Sequence, residues 1–332
     1  MKRIILSLCL LFPLLAWADD SGTTGDCTWY FEEATGTLTV SGNGQMGDYA
    51  SWSKPPYESY KNQIINVILE QGVTNIGNSA FNGCSRLTSI TIPEGVTSIG
   101  NQAFNECSSL TSIIIPEGVT SIGHYAFYNC LSLASISIPC SINSIGEHSF
   151  HLCRKLSSIT IPINVIIISD YCFAECSSLS SVTIPEGVTM IGDYVFSGCS
   201  SLTSITIPEG VTNIGNGAFS CCSGLTSITI PEGVTNIRNE TFHSCSSLTS
   251  ITIPEGVNSI GNNAFYGCSS LTSITIPEGV TAIGYYAFSD CQKLESINIP
   301  ESLTTIGSQA FYNCFSIPLI PQHYNLTLFI SS

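Results

Sequence analysis

Cysteine is the residue type whose number and spacing in this chain suggest chemistry. Sixteen cysteines occur in 332 residues, and eleven of them stand 23 positions apart, from Cys84 through Cys107 to Cys314. Two of the eleven closely follow a histidine, in His151-Leu-Cys153 and His243-Ser-Cys245. Thiolate and imidazole bind zinc, but recognised zinc sites group four ligands within one small unit. The regular spacing instead indicates that these cysteines have the same structural role in every copy of the repeat. We expect neither a bound metal nor a cofactor.

A disulfide framework is the second chemistry open to these cysteines. Such frameworks stabilise small, loop-rich secreted folds that lack a sufficient apolar core. Equivalent positions on stacked coils also have parallel Cβ vectors, which fit the disulfide dihedral poorly. We expect the evenly spaced cysteines to be buried free thiols that pack as small apolar side chains. We place Cys172 at a buried, alanine-like position and Cys221 at a surface position next to Cys222.

Motifs of nucleotide binding and hydrolysis give no support for an enzyme. Gly42-Asn-Gly-Gln-Met-Gly47 matches G-x-G-x-x-G, which indicates a dinucleotide site only where a helix follows. Residues 48–57 contain two prolines and no helical periodicity, so we interpret the motif as a glycine-rich hairpin loop. The sequence has no G-x-S-x-G elbow, P-loop lysine or H-E-x-x-H zinc motif. We therefore predict that the protein is not an enzyme.

The same 23-residue period governs the apolar residues. Eleven phenylalanines, from Phe81 to Phe311, each precede a ladder cysteine by three positions, and such self-similarity indicates a repeat array. In the copy 110–130, alternation predicts a strand with inward Ile113 and Ile115, which Pro116 ends. Residues 119–122 predict a second short strand, and Ala126-Phe127-x-x-Cys130 has the spacing of one helical turn. Each copy is then a coil that must stack on its neighbours, because it is too small to fold alone.

The N-terminus has the form of a secretory signal peptide. Lys2 and Arg3 precede an apolar stretch, 4–15, and Ala16-Trp-Ala18 is a cleavage site that leaves Asp19 first. The apolar stretch is too short to span a bilayer, and no later segment qualifies. We divide the remainder into a β-rich N-terminal cap, 19–63, a repeat array, 64–316, and a C-terminal tail or cap, 317–332.

Net charge excludes two classes of partner. The formal charge is −15, and removal of Lys2 and Arg3 with the signal peptide makes it −17. Such a surface repels nucleic acid and anionic membranes. We therefore expect an exported protein, secreted or held at the cell surface, whose partner is a protein or a glycan.

The repeated pattern resembles a known family. Leu-x-x-Ile-x-Ile-Pro-x-x-Val-x-x-Ile-Gly-x-x-Ala-Phe-x-x-Cys is similar to the BspA-like, Treponema-type leucine-rich repeat, and the resemblance covers about residues 64–316. The segment 29–57 also resembles the cap that precedes such arrays. The resemblance implies a leucine-rich repeat solenoid with a parallel sheet on one face, exported to the cell surface, with adhesion to host matrix proteins as its role. No sorting domain or wall anchor is recognisable after Phe315.

Outward strand positions form the first candidate binding surface. They are serine or threonine in nearly every copy, and Glu295 is the only charge near them, so a solenoid polysaccharide hydrolase or lyase would lack converging carboxylates. The surface is either a solvated sheet face or a regular platform for an extended partner. The candidate residues are Thr160, Thr183, Thr206, Thr229, Thr252, Thr275, Ser181, Ser204, Ser227 and Ser250.

A row of glutamates from Glu94 to Glu301 marks the turn after the first strand and is the second candidate surface. We interpret it as a solvated edge, with calcium bridging as the alternative.

The repeat breaks at two places. Arg238 stands where glycine closes most copies, and residues 140–176 lose the Pro-Glu-Gly-Val turn twice. The second break also adds four basic or titratable residues to an acidic body, His148, His151, Arg154 and Lys155. This patch is either drift in a tolerated copy or a positive, pH-responsive site for an acidic partner. We predict a binding module, a bacterial adhesin in the first instance, with a self-associating structural component of the surface as the alternative.

Overall fold

The computed structural model describes residues 20–317, and these form a solenoid of stacked coils. Each coil has two short strands followed by a run of turns, and it repeats every 23 residues, which confirms the predicted fold class. The predicted signal peptide, its predicted cleavage site at Ala18 and Asp19, and the tail after Ile317 lie outside the described residues. No helix within residues 20–317 is long and apolar enough to cross a membrane.

The N-terminal segment supplies the first layer of the stack. Its β1 and β2 pair antiparallel, as do β2 and β3, while β3 pairs parallel with β5 of the first coil. Tyr57 is buried with its ring 6.1 Å from that of Phe81, and it therefore begins the aromatic stack of the array. The boundary at residue 63 stays a prediction. The segment contains β1 (Asp20–Thr24), β2 (Cys27–Glu32), β3 (Thr37–Gly42), β4 (Gly44–Gln45) and a 3-10 helix (Glu58–Tyr60).

The glycine-rich motif lies in this segment. Gly42 ends β3 and Gly44 begins β4, and both have positive φ, 137° and 151°. Residues 48–57, which follow the motif, form no helix, so the context that a dinucleotide site requires is missing here.

First strands stack on one side of the coils. They do not form one continuous sheet: β5 pairs with β7, β9 with β11, β13 with β15, β18 with β20, and β22 with β24. The copy with Ser204 and Thr206 has no first strand, contrary to the prediction for that copy. The column contains β5 (Asn66–Leu69), β7 (Ser89–Thr91), β9 (Ser112–Ile114), β11 (Ser135–Ser137), β13 (Ser158–Thr160), β15 (Ser181–Thr183), β18 (Ser227–Thr229), β20 (Ser250–Thr252), β22 (Ser273–Ile274) and β24 (Ser296–Ile297).

Second strands form a parallel column beside the first. Three ladders make it up, namely β8-β10-β12, β14-β16-β17 and β19-β21-β23-β25, with β6 paired to β4. The column contains β6 (Val73–Asn75), β8 (Ser98–Ile99), β10 (Ser121–Ile122), β12 (Ser144–Ile145), β14 (Ile167–Ile168), β16 (Met190–Ile191), β17 (Asn213–Ile214), β19 (Asn236–Ile237), β21 (Ser259–Ile260), β23 (Ala282–Ile283) and β25 (Thr305–Ile306).

The core is a ladder of phenylalanine rings. Adjacent rings from Phe81 to Phe311 stack with centroids 5.2–5.8 Å apart and planes within 18° of parallel. Ile113 and Ile115 are buried beside the ladder, while Ile114 is 76% exposed, which confirms the predicted alternation. Burying a large apolar side chain stabilises by roughly 1.5–3 kcal/mol, so the interior of the stack drives assembly of the coils.

The predicted helical turn is wrong, because a chain of β-turns occupies its place. In the copy 110–130, Tyr125 and Asn129 have left-handed φ values of 56° and 57° on either side of Phe127. The N–H groups of Tyr125, Phe127 and Asn129 each donate to a carbonyl of the following coil at 2.8–2.9 Å. A helix would direct these donors along its own axis. The turns are favoured because they keep the donors available to bond one coil to the next.

Glycine after the second strand of most coils permits the coils to approach one another closely. A Cβ at Gly261 would lie 2.6 Å from the backbone nitrogen of Asn239 in the preceding coil, closer than any real contact. We name this set the closing glycines: Gly77, Gly100, Gly123, Gly146, Gly192, Gly215, Gly261, Gly284 and Gly307.

Two coils lack a closing glycine, and second-strand pairing fails at both. Ser169 and Arg238 occupy the position, and neither β12–β14 nor β17–β19 pairs. At an ordinary junction, the backbone N–H of Gly123 donates to the carbonyl of Ile99 in the preceding coil at 2.9 Å. At Ser169 the side-chain hydroxyl takes the place of that donor and bonds to the carbonyl of Ile145 at 2.7 Å. First strands are also unpaired there, so the coils of Phe150 and Phe173 form one weak junction, and those of Phe219 and Phe242 form the other.

We predict that Gly261→Ala lowers stability by about 1–3 kcal/mol, because its Cβ overlaps the backbone of the coil below. Gly256→Ala in the same coil is the matched control. Its Cβ would have 3.5 Å to the nearest atom and its φ is not positive, so it should be neutral or stabilise by up to about 1 kcal/mol. Thermal unfolding of both variants tests this, and equal shifts of the midpoint would contradict the packing argument.

Candidate functional site

The first-strand side presents the predicted hydroxyl surface. Of the ten candidate residues, every one is exposed, including Ser204 and Thr206 in the copy without a first strand. None of the ten makes a side-chain hydrogen bond to another residue within 20–317. The threonines that immediately precede the first strands differ. The hydroxyls of Thr226 and Thr249 each donate to a backbone carbonyl of the preceding coil at 3.1 Å. We call the ten residues, whose hydroxyls remain available, the Ser–Thr face.

The patch predicted from the second break separates into two environments. Arg154 and Lys155 are exposed and form no ion pair with any described residue. His148 and His151 are half-buried instead, with their Nδ1 atoms 3.0 Å apart. His148 also lies between the rings of Tyr125 and Tyr171, at 4.4 and 4.5 Å.

Burial removes the positive charge that the sequence assigned to the histidines. It lowers the pKa of His151 from its usual 6.5 to about 4, and the neighbouring His148 lowers it further in the same direction. Burial also lowers the pKa of His148, although the carboxylates of Glu147 and Asp170 oppose the change. Both imidazoles are therefore neutral near pH 7, and the charge of the patch rests on Arg154 and Lys155.

An aromatic column extends from this pair over several coils. Tyr125, His148, Tyr171 and Tyr194 stack in sequence, each at the residue two positions before the phenylalanine of its coil. The ring of Tyr194 then lies over Gly217, and its hydroxyl donates to Glu240 Oε2 at 3.0 Å. The column thus bridges both weak junctions, which the sequence did not predict.

The ladder cysteines are buried except for Cys314, which is partly exposed, and their thiols have a role that the sequence did not predict. Cys130 Sγ donates to the carbonyl of Phe104 at 3.2 Å, and the same bond recurs from Cys107 to Cys314 at 2.9–3.3 Å. Burial raises the pKa of Cys130 to about 12, which suppresses the reactive thiolate. Cys172 is buried and Cys221 is exposed, as expected. Residues 20–317 contain no group of three metal-ligating side chains placed to share an ion.

The glutamate row lies on the turn that follows the first strand. Its members are exposed, and Glu278 Oε2 accepts the N–H of Glu301 at 3.1 Å. Cys140 and Ile163 interrupt the row at the second break, and both are exposed. The geometry is that of a solvated edge, and calcium bridging has no further support from it.

We predict that a thiol reagent such as a colourless aromatic disulfide labels Cys140 and Cys221 quickly in the native protein, because these two are exposed. Cys314, which is partly exposed, should react more slowly, and the buried ladder thiols should react only after denaturant is added. Peptide mapping after a timed quench measures this. Rapid labelling of Cys130 or Cys199 in native protein would contradict the buried, hydrogen-bonded ladder.

We predict that stability falls as the pH is lowered from about 6.5 to about 4, since the unfolded chain takes up a proton at His151 in this window while the folded state does not. The groups facing the pair are Glu147, Asp170, His124 and the flanking tyrosines. His151→Gln removes the titration. The measurement is the thermal midpoint of both proteins against pH, and parallel curves would contradict the assignment.

Comparison with known proteins identifies the architecture. A family model described as a BspA type leucine rich repeat region matches residues 56–180, 166–276 and 258–329. A leucine-rich repeat protein from Bacteroides ovatus is 31% identical, with a TM-score of 0.61 over 88% of this chain and 91% of that one. One from Eubacterium ventriosum is 27% identical, with a TM-score of 0.60 over 92% and 98%.

A third similar protein of known structure is named as a cell surface protein. A leucine rich cell surface protein from Faecalibacterium prausnitzii is 28% identical, with a TM-score of 0.52 over 90% of this chain and 93% of that one. No curated protein matches the sequence. The family match covers most of the chain, and the relatives share its length and fold. The chain belongs to the BspA-type leucine-rich repeat family.

Proposed function

We propose that the protein is an exported binding module of a bacterial cell surface, and that the Ser–Thr face binds a protein partner as an adhesin does. The observation that carries this is the set of ten exposed hydroxyls, none used inside the fold, at equivalent positions of successive coils. Hydroxyls both donate and accept hydrogen bonds, so they suit an extended partner held by many weak contacts.

The location has separate support. The Faecalibacterium prausnitzii relative is named a cell surface protein, and the N-terminal sequence has the form of a signal peptide. Host extracellular or cell-surface proteins are the partners that the family resemblance implies. We propose a host matrix protein as the class of ligand that the Ser–Thr face binds.

Two other functions have less physical support. Glycosidase chemistry requires a pair of carboxylates beside the substrate. All ten positions of the Ser–Thr face are serine or threonine, and the glutamates of the following turn form a single row along a solvated edge. Self-association would place the protein in a surface layer as a structural component. The uniform face of stacked coils is compatible with this, so self-association is an outcome of the test below.

We predict that the chain from residue 19 binds at least one member of a panel of purified extracellular-matrix proteins in surface plasmon resonance. Thr229→Lys with Thr252→Lys should weaken binding roughly tenfold or more, because two buried, unpaired charges would enter the interface. The matched control, Thr235→Lys with Asn258→Lys, adds the same charges to exposed positions just before the second strands β19 and β21.

The outcomes separate the alternatives. Equal loss in both double variants would move the binding surface away from the Ser–Thr face. Absence of binding to the whole panel, together with concentration-dependent growth in light scattering, would replace adhesion by self-association.

A further inference from the structure

Arg238 interrupts the solenoid at a structural cost. It occupies the position of a closing glycine, and the second strands β17 and β19 on either side of it fail to pair. The N–H groups of Thr235 and Arg238 lack the bonds to the preceding coil that their equivalents in ordinary coils make. Departures from an otherwise consistent pattern are expected at functional sites. A large cation here therefore needs a reason other than packing.

The guanidinium of Arg238 is available to a ligand. The side chain is exposed and forms neither an ion pair nor a side-chain hydrogen bond within residues 20–317. Two carboxylates hydrogen-bond to other residues and form no ion pair with Arg238: Asp193 accepts the backbone N–H of Asn216 at 2.7 Å and its amide at 3.2 Å, and Glu240 accepts the hydroxyl of Tyr194 at 3.0 Å. The protein as a whole is acidic, so an unpaired arginine is a rare charge on it.

Arg238 lines a small polar cleft at the weak junction. Asn216, Asn236, Asn239 and Ser259 contribute to its wall, and its volume is about 220 Å³. Internal bonds use the amide oxygens of two of these side chains: Asn236 Oδ1 accepts Ser259 at 2.7 Å, and Asn239 Oδ1 accepts the N–H of Asn262 at 2.8 Å. The NH₂ group of Asn239 makes no hydrogen bond among the described residues and remains a donor toward the cleft region.

From this geometry we propose that the cleft binds a carboxylated sugar unit of an acidic polysaccharide, such as a uronic acid. The planar guanidinium of Arg238 pairs with the carboxylate through two hydrogen bonds. The NH₂ group of Asn239, which makes no hydrogen bond within residues 20–317, donates to a hydroxyl of the sugar. At about 220 Å³ the cleft is smaller than the roughly 300–1,000 Å³ of sites for larger organic ligands, and this volume suits a single sugar ring.

This site is independent of the Ser–Thr face. It lies at second-strand positions of the coil and recognises charge, whereas the Ser–Thr face is uncharged. A glycan held at the cleft and a protein held on the face are separate binding events, and failure of one leaves the other intact.

The test is to titrate the chain from residue 19 separately with D-glucuronate, D-glucose and acetate, and to monitor each titration by the NMR signals of the protein amides. Glucuronate should bind more tightly than either of the others and shift the amide signals of Asn239 and Ser259. Arg238→Gln should weaken glucuronate binding roughly tenfold or more, about the loss of one charged hydrogen-bond pair. Arg238→Lys should retain part of the affinity, because lysine keeps the charge but loses the two-bond geometry.

Two single variants, Arg238→Gly and its control Ser169→Gly, distinguish an effect on glucuronate binding from an effect on the packing of the coils. Each restores a closing glycine, so relief of the side-chain overlap with the coil below opposes the greater freedom of the unfolded chain, and the thermal midpoint should change little. Arg238→Gly should abolish glucuronate binding, while Ser169→Gly should leave it unchanged. Glucuronate binding that survives in Arg238→Gly, or that is matched by acetate or glucose in the parent, would overturn the proposal.

Discussion

Main-chain hydrogen bonding between coils is the constraint on which the rest of this structure depends. Buried backbone groups must be paired, and a coil of two- and three-residue strands has few partners within itself. The N–H groups therefore bond to neighbouring coils: to the preceding coil at the closing position, and to the following coil at alternate residues around each phenylalanine. The Phe stack can then keep its 5.2–5.8 Å spacing along the whole array.

This constraint explains three residue choices that otherwise look unrelated. Glycine closes most coils because a side chain there would overlap the coil below. Left-handed φ values occur at two positions of each coil, even at Leu152 and Tyr171, because this conformation directs alternate N–H groups toward the following coil. Cysteine follows phenylalanine because a thiol is apolar enough to be buried and still donates to the Phe carbonyl of the preceding coil.

Much of the fold was predictable from the sequence because its strongest signals are periodic. Alternation placed Ile113 inside and Ile114 outside, and it placed the Ser–Thr face on the surface. The turn around Phe127 was not predictable, since Ala126, Phe127 and Cys130 have a spacing that both a helical turn and successive β-turns satisfy. Left-handed residues gave no warning, because most of them are not glycine. The consequence of Ser169 was also hidden, as serine at one position reveals nothing about strand pairing.

The candidate sites divide in the same way. Exposure follows from sequence alternation, whereas charge depends on surroundings that only the fold supplies. His148 and His151 show this, because burial among neighbouring rings lowers the pKa of both imidazoles and leaves them neutral. Arg238 was visible as an exception in the sequence, but its cleft and its lack of a partner were not.

The two weak junctions have a mechanical consequence. They divide the array into blocks containing β5–β12, β13–β17 and β18–β25, and in a repeat protein cooperativity passes only through nearest-neighbour contacts. A protein tethered at a surface and pulled by a bound partner would then yield block by block, with the aromatic column as a side-chain restraint across each seam. Extension in separate steps dissipates load without loss of the whole binding surface, which a uniformly bonded rod could not do.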